Sequence, residues 1–363
     1  QTDEKWVCRG AKPFCRESES LPWASPKGCP SDTGFTSFLP GKGPQGWSIG
    51  FFSNLPVAVV GKMSIQKTEP KTQSLMDRLE AGEMLISDGG TGTFLQQHGL
   101  EPGGCPEELN ASRPELIRQM SKEYFDAGSD MVLTTSFGGS MFMLKKYGYA
   151  DRVRELNMLA AQNARGAAPA GGLVAGSVGP TGEFLEPLGE VTEAEMLDAF
   201  VEQVTALEEG GADAIIVETM WAVEEASLAI RATKENTDLP VIATLTFDKG
   251  PRGLFTMSGN TPEEAVRRLC DAGAEVIGTN CGNGIEKMVE IAEKMRAVTD
   301  GYLAVHSNAG IPAIVQGQIV YLETAEFMSE GFKKLYDLGV NIIGGCCGTG
   351  PDHIRELCRT LRG

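Results

Sequence analysis

The stretch VIGTNCGNGIEKMVEIAEKMRAV, residues 276–298, contains the unit from which most of the chain is built. Val276–Asn280 is a short apolar run, a glycine-rich turn follows it, and from Gly284 to Val298 apolar residues recur at the spacing of a helix with one buried face. The same unit recurs along the sequence. Apolar runs stand at Met84–Ser87, Asp130–Thr135, Leu173–Ser177, Ala214–Glu218, Val241–Phe247, Val276–Asn280, Tyr302–His306 and Val340–Gly344. Helix candidates follow them at Pro114–Ala127, Asp151–Ala167, Thr192–Glu209, Val223–Lys234, Thr261–Ala272, Gly284–Val298, Thr324–Leu338 and Pro351–Leu361. Asn260-Thr261-Pro262 supplies a cap and a first-turn proline for one of these helices. Strands apolar on both faces and separated by helices belong in a parallel sheet joined by right-handed crossovers. Eight units predict an α/β fold, a (β/α)8 TIM barrel. An open doubly wound sheet is the competing arrangement if one run is miscounted.

The chain has 363 residues, with 32 Lys+Arg against 49 Asp+Glu and a net charge of −17. Such a balance repels phosphate backbones and anionic lipid, so nucleic acid and membrane surfaces are excluded as partners and a small-molecule substrate is expected. No apolar run reaches the ~20 residues that span a bilayer. Residues 1–62 differ in composition: they carry a net +2 against −19 for the rest, and hold Trp6, Trp23 and Trp47 without helical or strand periodicity. They read as an irregular, loosely ordered N-terminal extension, with Met63 as a natural start and residues 63–363 as the barrel. With no basic and apolar leader, and with nine cysteines too sparse for a disulfide scaffold, a reducing cytoplasmic location is expected.

The chemistry concentrates at predicted strand ends. Cys281 closes the sixth run and Cys346-Cys347 the eighth, and in a barrel both ends lie on the C-terminal rim, where active sites sit. Three thiols at one place suit Zn²⁺, which takes soft thiolate ligands tetrahedrally and, with three protein ligands, keeps a fourth position for substrate. Flanking glycines allow adjacent Cys346 and Cys347 to face one ion. Asp88 lies among glycines at the end of the first run and can receive an ammonium group, while Glu218 follows a buried run on the same rim. Ser136, Gly179, His306 and Asn308 would line the mouth, His306 as a hydrogen-bonded rim residue. Cys270 and Cys358 fall on helices as small buried hydrophobes, and Cys105 in a loop. Glu195, Glu208 and Glu224-Glu225 read as solvated helix faces. Gly41-Lys-Gly43-Pro-Gln-Gly46 matches a dinucleotide string but lacks the strand and helix that give it meaning.

The Asp88-Gly-Gly-Thr-Gly opening, the Gly278-Thr-Asn-Cys281 strand end and the Gly344-Gly-Cys346-Cys347-Gly close resemble the homocysteine S-methyltransferase family over residues 80–363. Cys105-Pro-Glu-Glu-Leu-Asn110, Gly179-Pro-Thr-Gly-Glu183 and Asn308-Ala-Gly310 resemble the homocysteine-binding modules of cobalamin-dependent methionine synthases. The resemblance implies a (β/α)8 barrel in which Cys281, Cys346 and Cys347 hold zinc. It also implies that Asp88 and Glu218, with Gly89, Ser136 and Asn308 nearby, bind the amino-acid end of homocysteine. Methyl transfer to the thiol would then give methionine. Donors in the family are methylcobalamin, S-methylmethionine or betaine. The sequence after Cys347 has room for one last helix, so if methylcobalamin is the donor, a separate corrinoid protein is expected to supply it. The alternative is the same zinc barrel moving methyl groups from a methylated amine or methoxy compound to a corrinoid protein. A non-catalytic zinc-thiolate oxidant sensor is the rival outside enzymes.

Overall fold

The computed structural model of the chain describes Lys5, residues 73–315 and residues 318–363. The expectations for the 1–62 extension, including its glycine string, lie outside the described residues apart from Lys5. Eight parallel strands form one sheet: β1 (Leu85–Ile86), β2 (Met131–Leu133), β3 (Leu173–Val178), β4 (Ala214–Met220), β5 (Val241–Leu245), β6 (Val276–Asn280), β7 (Tyr302–Ser307) and β8 (Ile342–Gly345). Each leads to a wall helix: α1 (Pro114–Ala127), α2 (Val153–Ala167), α3 (Glu193–Glu209), α4 (Val223–Asn236), α5 (Pro262–Ala272), α6 (Ile285–Val298), α7 (Ala325–Asp337) and α8 (Pro351–Arg362). Their order in the sheet is β1-β8-β7-β6-β5-β4-β3-β2. The seam between β1 and β2 is stitched by the Asp130 amide donating to Ile86 O at 2.7 Å and the Leu133 amide donating to the Asp88 carboxylate at 2.8 Å. The sheet is thus a nearly closed (β/α)8 barrel, and the doubly wound alternative is set aside.

Local chemistry starts and stops the helices where the sequence predicts. Thr192 with Glu195 and Thr261 with Glu264 form reciprocal capping boxes at α3 and α5, and Pro262 occupies the first turn of α5. Gly128 and Gly273 end α1 and α5 in the left-handed region, at φ 109° and 104°.

Alternation along the strands divides the barrel into levels. Leu85, Met131, Leu133, Ala175, Ile216, Ile242, Val276, Ala304 and Ile342 pack together inside it, joined by Leu75 and Leu79 of the short helix Leu75–Glu80, which plugs the N-terminal end. Two residues further along, the inward face turns polar at Ser87, Ser177, Glu218, Thr244 and His306, with Gly344 beside His306, and Asn280 joins this layer four residues past Val276. This polar layer is the floor of the C-terminal mouth.

Two differences from the expected pattern bear on the site. β4 continues past Glu218 to Met220, with a register shift between Val217 and Met220. Two antiparallel ribbons, Asp248–Gly250 with Gly253–Phe255 and Ala313–Val315 with Gln318–Val320, are inserted after β5 and β7.

Candidate metal centre and substrate site

The sulfurs of Cys281, Cys346 and Cys347 all lie within 4.8 Å of one another, with Cys281 Sγ and Cys347 Sγ 3.8 Å apart. A tetrahedral zinc with bonds of about 2.3 Å requires sulfur separations of about 3.8 Å. The donor set therefore fits the ion in both softness and spacing. Backbone geometry achieves this. Cys281 sits at φ 59°, in the left-handed region that a non-glycine residue rarely occupies, with its amide on His306 O at 3.1 Å. Cys346 donates its amide to Ser307 O at 2.7 Å and Cys347 its amide to Asn308 Oδ1 at 3.0 Å, and Gly348 then turns at φ 82°. The chain thus leaves the strand at Gly345, which lets both adjacent thiols face the same point. Hydrogen bonds from Cys346 and Cys347 hold the Cys281 thiol down at about 3, while the negative sulfur so created, together with burial, pushes Cys346 well up and Cys347 up to about 12. Cys281 is thus the most readily ionised of the three, and a divalent cation would displace the protons from the other two.

Facing the cluster across the polar floor are two buried carboxylates, Asp88 at 2% exposure and Glu218 at 7%. Glu218 accepts hydrogen bonds from Ser177 Oγ at 2.5 Å and Asn280 Nδ2 at 3.0 Å; Asp88 accepts from the Leu133 amide and from Ser87 Oγ at 3.4 Å. These partners are hydroxyl, amide and backbone groups, so neither carboxylate is neutralised by them. Burial raises Glu218 to about 7 against the Ser177 bond, with the Cys281 charge adding to the rise; burial and the Glu218 charge raise Asp88 well above the usual carboxylate range. Two buried carboxyls kept near each other, with no cationic partner among the described residues, form a receptor for a cation, whose charge would favour their ionised state.

A family model described as homocysteine S-methyltransferase matches residues 85–361. The chain belongs to that family. Membership places it among methyltransferase enzymes. Methionine synthase of Mycobacterium tuberculosis (strain ATCC 25618 / H37Rv) is 34% identical over 298 residues, covering 77% of this chain and 24% of that protein. Methionine synthase of Mycobacterium leprae (strain TN) is 32% identical over 301 residues, with 77% and 24% covered. The chain thus spans about a quarter of the length of these relatives. Among solved structures, the metallated homocysteine methyltransferase MmuM of Escherichia coli superposes with a TM-score of 0.64 at 23% identity, over 78% of this chain and 98% of that one. Its oxidized form gives 0.65 at 23% identity, over 80% and 99%. At that identity the likeness is one of fold.

Other members of the predicted site are placed as follows in this family member. Gly89 lies so close to Thr349 that an added Cβ would stand 2.8 Å from its carbonyl and hydroxyl oxygens. Ser136 is buried with its hydroxyl on Ser177 O at 2.7 Å, so it braces the end of β3. Asn308 spends its side-chain oxygen on the Cys347 amide. His306 is buried in the floor with Nε2 unpartnered among the described residues, and burial lowers it to about 4. Glu225 is also a correction: it is 6% exposed and accepts both the amide and hydroxyl of Thr181 at 2.7 Å, pinning the β3 loop instead of facing water. Cys105 is buried against Glu107. Cys358 is partly buried on α8. Cys270 on α5 is disulfide-bonded, which departs from the expectation of thiols kept reduced throughout. Sequence reasoning missed Ser177 and Asn280, and also Tyr321, whose ring stands where a side chain on Gly348 would go. The membrane expectation agrees with the helices, since none among the described residues is long and apolar enough to cross a bilayer.

Proposed function

We propose that this barrel transfers a methyl group to the thiol of L-homocysteine, giving methionine, with zinc on Cys281, Cys346 and Cys347. The observation that carries the reading is the pairing of three converging sulfurs with two buried carboxyls that no cation pairs with among the described residues. Homocysteine carries the complementary groups, a thiol at one end and an ammonium at the other. Zinc, when bound, acts as a Lewis acid that ionises the substrate thiol near neutral pH, where a free thiol with a pKa of about 8.5 is mostly protonated. Asp88 and Glu218 receive the ammonium, whose charge brings both carboxyls back to the ionised state. Gly89, Ser136 and Asn308 line the amino-acid end. The buried floor keeps bulk water from the thiolate, and holding both ends of the substrate fixes its sulfur for attack on the donor methyl carbon.

One donor that fits this reading is methylcobalamin held on a corrinoid carrier. Supporting it, the mouth is flanked by exposed Phe184, Leu188, Trp221 and Met257 and a cavity of about 920 Å³ between the β3 loop and α4, an apolar surface a bulky donor carrier could cover.

The deciding experiment combines metal analysis with methionine formation from homocysteine and a panel of donors, including methylated corrinoid. Wild-type protein is expected to bind one zinc and form methionine. Cys346→Ala is expected to bind zinc weakly and to lose turnover at least a hundredfold, in line with loss of an essential ligand. A Cys346→Ala protein that keeps zinc and full turnover overturns the reading.

A further inference from the structure

We infer that Asn280 is a positioning residue that holds Glu218 in register with the sulfur cluster, so that one junction sites both ends of homocysteine; this rests on Glu218 receiving the substrate ammonium. A primary amide has two N–H donors and an oxygen with two lone pairs, and Asn280 uses all four. Its Nδ2 donates to Glu218 Oε2 at 3.0 Å and to Thr219 Oγ1 at 2.7 Å, and its Oδ1 accepts the Thr219 amide at 2.7 Å and the Thr244 hydroxyl at 2.8 Å. The backbone amide of Thr219 can only donate, which fixes the oxygen toward it and the nitrogen toward Glu218.

The bonds fall where β4 most needs them. Thr219 is a β-branched residue at φ 58°, inside the register shift that follows Val217, a conformation that persists only where the surroundings impose it. The very next residue after Asn280 is the proposed ligand Cys281, itself left-handed at φ 59° and anchored to His306 O. Thr246 fixes the peptide between them by donating its hydroxyl to Asn280 O at 3.0 Å. A single peptide group therefore separates the amide that holds the carboxylate from the thiolate. If Asn280 only supported the fold, its loss would lower stability without regard to Glu218; a positioning role makes its effect on substrate depend on Glu218.

The test is a double-mutant cycle on zinc-loaded full chain, reading homocysteine Kd by calorimetry and zinc content by metal analysis. Asn280→Ala is expected to weaken homocysteine about tenfold, raising KM more than it lowers kcat, with zinc stoichiometry unchanged. In a Glu218→Ala background the same substitution is expected to change Kd less than about twofold. Losses that multiply in the double variant, or loss of zinc from Asn280→Ala, overturn the inference while leaving the role of Glu218 intact. A Glu218→Ala protein that binds homocysteine as tightly as wild type overturns the underlying reading instead. Thr244→Val removes only the hydroxyl bracing the Asn280 oxygen and serves where Asn280→Ala does not fold. It is expected to give a smaller loss in the same direction, and an unchanged Kd counts against the inference.

Discussion

A carboxyl held at about 7 by burial is a liability to the empty fold and an asset to the loaded one. In the unfolded chain Glu218 titrates at about 4.3, so between those values the folded state keeps a proton that the unfolded state has released. Stability from this group is fully present below about pH 4 and is lost as pH rises through about 7. Glu218→Gln removes the titration. It is expected to be more stable than wild type at pH 8 by up to about 3 kcal/mol, with the gain fading below about pH 5. Homocysteine affinity moves the other way and falls in the variant. Thermal unfolding at pH 5 and pH 8 checks the first outcome; equal stability differences at both would contradict the burial account. At this scale the sequence was readable where chemistry is carried by residue type. Cys281, Cys346, Cys347, Asp88 and Glu218 stood out because thiols and carboxylates beside buried strands have few structural uses. Asn280 and Ser177 did not, since an amide or hydroxyl reveals its role only through its partner, and those partners come from other strands.

Elements were legible wherever a periodic stretch was long. All eight strands and eight wall helices lie where the apolar runs and amphipathic stretches predicted. The failures are short or irregular: Leu75–Glu80 is only 6 residues, too few turns to show a period, and the register shift at Thr219 has no signature in hydropathy. That short helix nevertheless closes the barrel. Leu79 is 2% exposed against the interior cluster, so Leu79→Ala is expected to cost about 2–5 kcal/mol in denaturant unfolding while leaving zinc stoichiometry unchanged. At the opposite end, strand packing admits no side chain at Gly344, where a Cβ would stand 2.7 Å from Ser87 Cβ and 3.1 Å from Asp88 O. Gly344→Ala is expected to push the end of β1 outward and to weaken homocysteine at least fivefold, as displacement of a substrate-holding group by a fraction of an ångström does. Calorimetry on the zinc-loaded variant measures it, and an unchanged Kd would show that β1 yields without moving Asp88.

Across the whole molecule, the proposed ligands are supplied by the ends of β6 and β8, which flank β7 without touching each other in the sheet. An ion bound there would tie two strands through side chains across a third, and that tie exists only in the folded barrel. Binding to the folded state alone stabilises by RT ln(1 + [L]/Kd), about 2.7 kcal/mol at a hundredfold excess over Kd. Zinc is therefore expected to raise the Tm of the wild-type chain by several degrees and a strong chelator to reverse it. Cys346→Ala should show a much smaller rise, because its two remaining sulfurs hold the ion weakly. Calorimetric scans of both proteins with zinc and with chelator measure the difference. A wild-type Tm indifferent to both additions would mean that the three sulfurs meet for some purpose other than holding a metal.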